Sequence, residues 1–162
     1  MRLKQAGFSL IELLIVVAVI LVIAAIAIPN LLRSRMAANE ASAVASLRSI
    51  NTSDVIYQST YASSYAPTLI ALSDGGIPTN CLPPAVPSAT SSCLIDPSLA
   101  SGTKGGYTFT YNPVSAGSTV SSYSVNGDPT SVGSGQRHFF TDQNLVIRAN
   151  GVAAASNTDP PI

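Results

Sequence analysis

Glu12 is the residue whose type and position most clearly require a chemical explanation, because it stands near the front of an apolar run. From Leu13 to Ile28 no polar side chain interrupts the sequence. A carboxylate inside such a segment costs about 2.5–3.5 kcal/mol on membrane-insertion scales and usually marks a partner or a function. The chemistry predicted here is charge neutralisation, in which Glu12 meets a cation.

Catalytic chemistry finds little support in the rest of the chain. His138 is the only histidine, and without a recognisable nucleophile motif it is interpreted as a surface residue of a strand. Gly133-Ser134-Gly135 lacks the Lys-Ser/Thr pair of a phosphate loop and is interpreted as a turn. We therefore predict a protein that is not an enzyme and has no catalytic, cofactor-binding or metal site.

Cys81 and Cys93 are the only cysteines. In an oxidising compartment, a single pair at this spacing is most simply a disulfide. Two free thiols or half of a zinc site are the alternatives, but no second Cys or His pair completes a metal set. The bridge would close a loop of about 13 residues and stabilise the fold by about 3 kcal/mol.

The segment that carries Glu12 is long enough to cross a membrane. Residues 8–28 make about 21 residues, or roughly 31 Å of helix. Arg2 and Lys4 lie in the short stretch before it, and the positive-inside preference places that end in the cytoplasm. The rest of the chain should therefore lie on the other side of the membrane.

The N-terminus resembles that of a type IV prepilin or a type II secretion pseudopilin. The resemblance lies in Gly7-Phe8-Ser9-Leu10-Ile11-Glu12, followed by an apolar helix with Pro29 near its end. It implies that a membrane-embedded prepilin peptidase cuts between Gly7 and Phe8 and methylates the new amine of Phe8, while the apolar helix is retained. It also implies that Glu12 pairs with the Phe8 amine of a neighbouring subunit during filament assembly, as a buried charge requires.

Two alternatives remain for this segment. Glu12 could lie at the cytoplasmic interface and reach the water there, although this would not explain the Gly7-Phe8 pair beside it. Ala25-Ile26-Ala27 fits an ordinary secretory cleavage site that would release a protein starting at Ile28. Glu12 inside the apolar region and Pro29 just after that site both weigh against secretory cleavage.

An α+β, pilin-like fold is predicted, with a long N-terminal helix packed on an antiparallel sheet of three or four strands. Pro29 should bend the helix. Beyond it, apolar residues at spacings of three, four or seven define a buried stripe, opposite a polar face that carries Arg33, Arg35, Glu40 and Arg48. Asn51-Thr52-Ser53 fits a glycosylation sequon but lies in the predicted helix. The predicted segments are a leader 1–7, a membrane or filament-core helix 8–31, and a head 32–162 with an amphipathic helix at about 32–61, a disulfide loop 62–104, a sheet at about 105–149 and a tail 150–162.

The sheet is predicted from apolar or alternating runs that lie between turn residues. The tail after Gly151 has little to bury and is expected to fray. The predicted strands lie at Tyr107–Tyr111, Tyr123–Asn126, His138–Phe140 and Leu145–Arg148, with turns at Asn126–Pro129 and Thr141–Asn144.

Composition fits a small exported subunit. The formal net charge is +0, or −2 once Arg2 and Lys4 leave with the leader, and charged residues are only 10%. Such a surface suits packing against copies of itself, and no basic stripe indicates a dedicated nucleic-acid site.

The resemblance implies a structural subunit that polymerises into a type IV pilus. Its implied partners are other pilin subunits, the prepilin peptidase, and an inner-membrane assembly platform with a separate ATPase. The precursor would lie in the inner membrane, and the assembled protein in an extracellular pilus or a periplasmic pseudopilus. A major pseudopilin of a type II secretion system is the first alternative, and a membrane-anchored or secreted adhesin is the second.

Overall fold

A computed structural model describes residues 8–61 and 64–162. The predicted leader, with Gly7, lies outside the described residues. The main elements are the helices α1 (Leu10–Thr60) and α2 (Pro97–Ala100) and the strands β1 (Thr103–Lys104), β2 (Tyr107–Ala116), β3 (Thr119–Pro129), β4 (His138–Asp142) and β5 (Arg148–Asn150), with 3-10 turns at Ile70–Leu72 and Pro78–Cys81.

The chain divides into two compact units between Arg35 and Met36. The described part of the first unit is helical from Leu10 onward, and every large apolar side chain from Phe8 to Leu32 is at least 47% exposed. The helix continues through Pro29, and the Asn30 side chain donates to the Ile26 carbonyl 3.2 Å away. α1 is long and apolar enough near its start to cross a membrane.

The second unit has its own hydrophobic core. The part of α1 in this unit buries Ala43, Leu47, Ile50 and Tyr57, spaced as a helix face requires, so the predicted stripe is confirmed over this stretch. These residues pack with sheet residues that include Tyr107, Phe109, Tyr123, Val125 and Phe139.

The sheet is antiparallel with strand order β1-β2-β3-β4-β5. The predicted α+β, pilin-like fold is confirmed, and the sheet has five strands rather than three or four. The additional strand, β1, has only two residues, Thr103 and Lys104, which pair with Thr108 and Tyr107. A strand this short has no alternating pattern to detect in a sequence.

The predicted turn at Asn126–Pro129 is wrong, because these residues belong to β3 and pair with Tyr107–Thr110. Gly127 lies under the Phe109 ring, where an added Cβ would be 3.4 Å from Cε1. The Asn126 side chain donates to the Ala155 carbonyl at 2.9 Å. Tertiary contacts therefore outweigh the local turn preference of these residue types.

The strand predicted at Leu145–Arg148 starts only at Arg148. Leu145 has φ +64° and its N–H donates to the Asp142 carbonyl at 2.9 Å. The chain therefore still turns at Leu145. The turn predicted at Thr141–Asn144 lies at the right position, but Thr141 and Asp142 are the last residues of β4 and the turn itself is formed by Gln143 and Asn144.

The C-terminal tail was expected to fray, but it is held against the head. Ala155 is buried, Arg148 donates to the Asp159 carbonyl at 2.7 Å, and the Ile162 N–H donates to the Ile147 carbonyl. The Asp159 carboxylate accepts from the Asn150 side chain and from Ser156. Polar contacts hold this tail, which a search for apolar residues does not detect.

Candidate assembly and processing site

Glu12 closes the first turn of α1. Its Oε2 accepts the Ser9 backbone N–H at 3.0 Å, and the Leu13 N–H donates to the Ser9 carbonyl at 3.3 Å. A glutamate three residues after a serine is half of the capping box that satisfies free N–H groups at a helix start. The Ser-x-x-Glu spacing signalled this contact, and our sequence interpretation missed it.

Phe8 lies just before the helix, with its side chain 82% exposed. The structure therefore brings together Phe8, Ser9 and Glu12 at one end of α1 and leaves Pro29 further along the same helix. The hydrogen bond from Ser9 satisfies one lone pair of the Glu12 carboxylate but does not neutralise its charge. A cation is still required if this end of the helix enters an apolar environment.

Glu40 connects α1 to the loop before β4. The sequence placed it on the polar face of the helix, and this prediction is wrong because Glu40 is 9% exposed. Its Oε1 accepts the backbone N–H groups of Gln136 and Arg137 at 2.9 and 3.3 Å, and its Oε2 accepts Arg137 Nε at 2.8 Å. Burial would raise the pKa of Glu40, but these donors hold the pKa below its ordinary value.

The comparisons with known proteins agree on the family. The family described as "Prokaryotic N-terminal methylation motif" matches residues 2–28. The type IV wide pilus major component of Thermus thermophilus is 42% identical over 93 residues, which cover 55% of this chain and 70% of that protein. The chain belongs to the type IV pilins. This pilin is a structural subunit that forms pili, as the sequence predicts. No solved structure shows significant similarity to it.

The sequon of the pilin is not open to glycosylation in the folded head. Asn51 is 5% exposed, its Nδ2 donates to Thr141 Oγ1 at 2.8 Å, and its Oδ1 accepts from the Tyr123 hydroxyl at 3.1 Å. A glycan on Nδ2 would break the bond to Thr141. Asn51 instead joins α1 to β4 and β3.

The predicted disulfide of the pilin is confirmed. Cys81 and Cys93 are bonded, with their Cα atoms 5.7 Å apart. Backbone N–H groups of Ser92, Cys93 and Leu94 donate to the carbonyls of Ala71, Ser73 and Leu72. The disulfide therefore joins the turn that ends at Cys81 to a segment that already lies along residues 71–73.

His138 lies at the start of β4, and its Nδ1 is 2.6 Å from Asp128 Oδ1 on the neighbouring strand. The two residues form a cross-strand pair, which is an ion pair when the imidazole is protonated. Within residues 8–61 and 64–162, no group of three His, Cys, Asp or Glu side chains could hold a metal ion.

Proposed function

We propose that this pilin is the building subunit of a cell-surface pilus and is made from a precursor cut between Gly7 and Phe8. The Phe8 amine is then methylated and α1 is kept. The observation that carries this proposal is the N-terminal methylation motif, which includes the residues on both sides of the bond. The relative from Thermus is named as the major component of a wide pilus, and we extend that role to this chain.

The exposed apolar surface of the first unit supports polymerisation through α1. All large apolar residues from Phe8 to Leu32 are exposed in the single chain. This much apolar surface requires a lipid bilayer or copies of itself. The bilayer would hold the precursor, with Arg2 and Lys4 in the cytoplasm and the head outside, and other subunits would replace the lipid in the filament.

Glu12 would join the subunits in that filament. Cleavage creates a positive charge at Phe8, and the Glu12 carboxylate carries a charge that its bond from Ser9 does not neutralise. In an apolar filament core each of these charges needs the other. We assign the contact to the Phe8 amine of one subunit and Glu12 of the next.

Three partners follow from this proposal. A prepilin peptidase removes the leader and methylates Phe8, an assembly platform in the inner membrane receives the subunits, and a separate ATPase drives growth. The subunit itself performs no catalysis. Its place is first the inner membrane and then the extracellular pilus.

The leader is tested by a change at Gly7, where a bulky side chain would obstruct the peptidase. Gly7→Leu should leave precursor of full length in the membrane fraction and abolish filaments, as seen by immunoblotting and electron microscopy. Ala6→Leu places the same side chain one residue earlier and is the matched control, which should still be cut and assembled. Normal processing and filaments from Gly7→Leu would refute the proposed cleavage site.

A further inference from the structure

Asp54 is a fully buried carboxyl that the proposed assembly mechanism does not use. It lies on α1 and is 0% exposed. Its Oδ1 is 3.1 Å from the backbone N of Ala66 and 3.1 Å from the Tyr111 hydroxyl oxygen. Its Oδ2 is also buried and has no hydrogen-bond partner among the described residues.

The hydrogen bonds around Tyr111 require one more proton than its hydroxyl supplies. The Tyr111 hydroxyl lies 3.1 Å from Asp54 Oδ1 and 3.0 Å from the Ala66 carbonyl oxygen. Both oxygens are acceptors when Asp54 is ionised, but a tyrosine hydroxyl has a single proton to donate. A proton on Asp54 completes the set, because Asp54 then donates to Tyr111 and Tyr111 donates to Ala66.

We propose that Asp54 binds a proton in the folded head and that this proton completes a hydrogen-bonded connection between α1, the segment at Ala66 and β2. Loss of the proton turns the Tyr111 hydroxyl toward the carboxylate, leaves the Ala66 carbonyl without that donor and places a charge in the core. The stability of the head therefore depends on pH, and this hydrogen-bonded connection weakens as the pH rises. The inference is independent of leader cleavage and of filament assembly.

The described residues around Asp54 offer it no countercharge. Tyr57 on the same helix, Tyr111 on β2 and Tyr123 on β3 are the titratable groups whose pKa values respond to its charge. In the described part of the chain, no Lys, Arg or His forms an ion pair with it. Burial, opposed by the hydrogen bonds from Ala66 and Tyr111, raises the pKa of Asp54 to about 6.

The direction of the pH effect follows from this pKa. The pKa is higher in the folded head than in the unfolded chain, so the folded head holds the proton more tightly. The stabilisation is complete at acidic pH, below the unfolded pKa, and is lost as the pH rises through about 6. From pH 5 to pH 8 the folding equilibrium constant should fall about tenfold through this group.

The test uses the full-length protein in detergent micelles, unfolded by urea with the disulfide intact and followed by tyrosine circular dichroism at pH 5–8. Asp54→Asn should remove the fall in the folding equilibrium constant that is assigned to this group. Asp142→Asn changes a half-buried acid at the end of β4 and should keep the wild-type pH profile. An Asp54→Asn variant with the wild-type profile would overturn the proposal.

Tyr111→Phe tests the proposal in a second way if Asp54→Asn does not fold. When Asp54 is ionised, the Tyr111 hydroxyl donates to its carboxylate, and a hydrogen bond to a charged group is the stronger kind, so the hydroxyl lowers the pKa of Asp54. Its removal should therefore move the loss of stability to higher pH. A profile for Tyr111→Phe that falls at the same pH as the wild type would equally overturn the proposal.

Discussion

The Glu40 carboxylate and the Arg137 guanidinium meet at 2.8 Å across 97 positions of sequence. Two backbone N–H groups from the same loop, those of Gln136 and Arg137, donate to the other oxygen of Glu40. Beside them, the Tyr107 hydroxyl donates to the Arg137 carbonyl at 2.8 Å. One carboxylate on α1 therefore fixes the loop that leads into β4.

Glu40→Gln should destabilise the head at pH 7. The glutamine side chain has no charge, and its NH2 group would face one of the N–H groups that now donate to Glu40. We therefore expect the free energy of unfolding to fall by about 2 kcal/mol, which is typical of hydrogen bonds to charged groups. Urea unfolding of the full-length protein in detergent measures the difference.

The pH dependence of this variant has a defined sign. The pKa of Glu40 is lowered by folding, so its contribution is present above the unfolded pKa and is lost as the pH falls through the folded value. The difference in the free energy of unfolding between wild type and Glu40→Gln should therefore narrow below about pH 4. Equal stabilities at pH 7, or a gap that persists unchanged in acid, would contradict this role for Glu40.

The disulfide should contribute to the stability of the head because it restricts the unfolded chain. Replacing Cys81 and Cys93 together with Ser should lower the free energy of unfolding by about 3 kcal/mol, as expected for a loop of this size. Wild-type protein reduced with dithiothreitol is the matched control and should show a similar loss. An unchanged unfolding midpoint for the double variant would show that the backbone contacts at residues 71–73 hold this segment without the bridge.

The sequence predicted the features that depend on local pattern. The apolar run behind Glu12, the cysteine pair and the stripe that includes Leu47 and Ile50 are each visible in residue types and spacing. The sequence did not predict three of the polar residues that α1 buries, Glu40, Asn51 and Asp54. Their partners lie 12–97 positions away, and a helical pattern assigns such residues to the solvent face by default.

The charge on Glu12 can be tested separately from its role at the helix start. Glutamine also fits the third position of a capping box, so Glu12→Gln should keep the contact to Ser9, membrane insertion and leader cleavage. Filament yield should still fall, because the Phe8 amine would be buried without its countercharge. Electron microscopy at matched expression gives the filament number and length.

Glu12→Ala is the companion variant, because it removes the cap as well as the charge. Mixing Glu12→Gln subunits with wild type should restore some filaments, since only part of the contacts would lack a carboxylate. Normal numbers and lengths of filaments from Glu12→Gln would refute the contact between subunits and return Glu12 to an interfacial position.

The most direct test of this account is the N-terminus of the subunit within the filament itself. Pili sheared from cells and digested without reduction should give, by mass spectrometry, an N-terminal peptide that begins at Phe8 and carries one methyl group on its amine. A peptide that begins at Met1 would show that the leader is retained. Protein that begins at Ile28 would establish secretory cleavage, and it would contradict the claim that α1 holds the filament together.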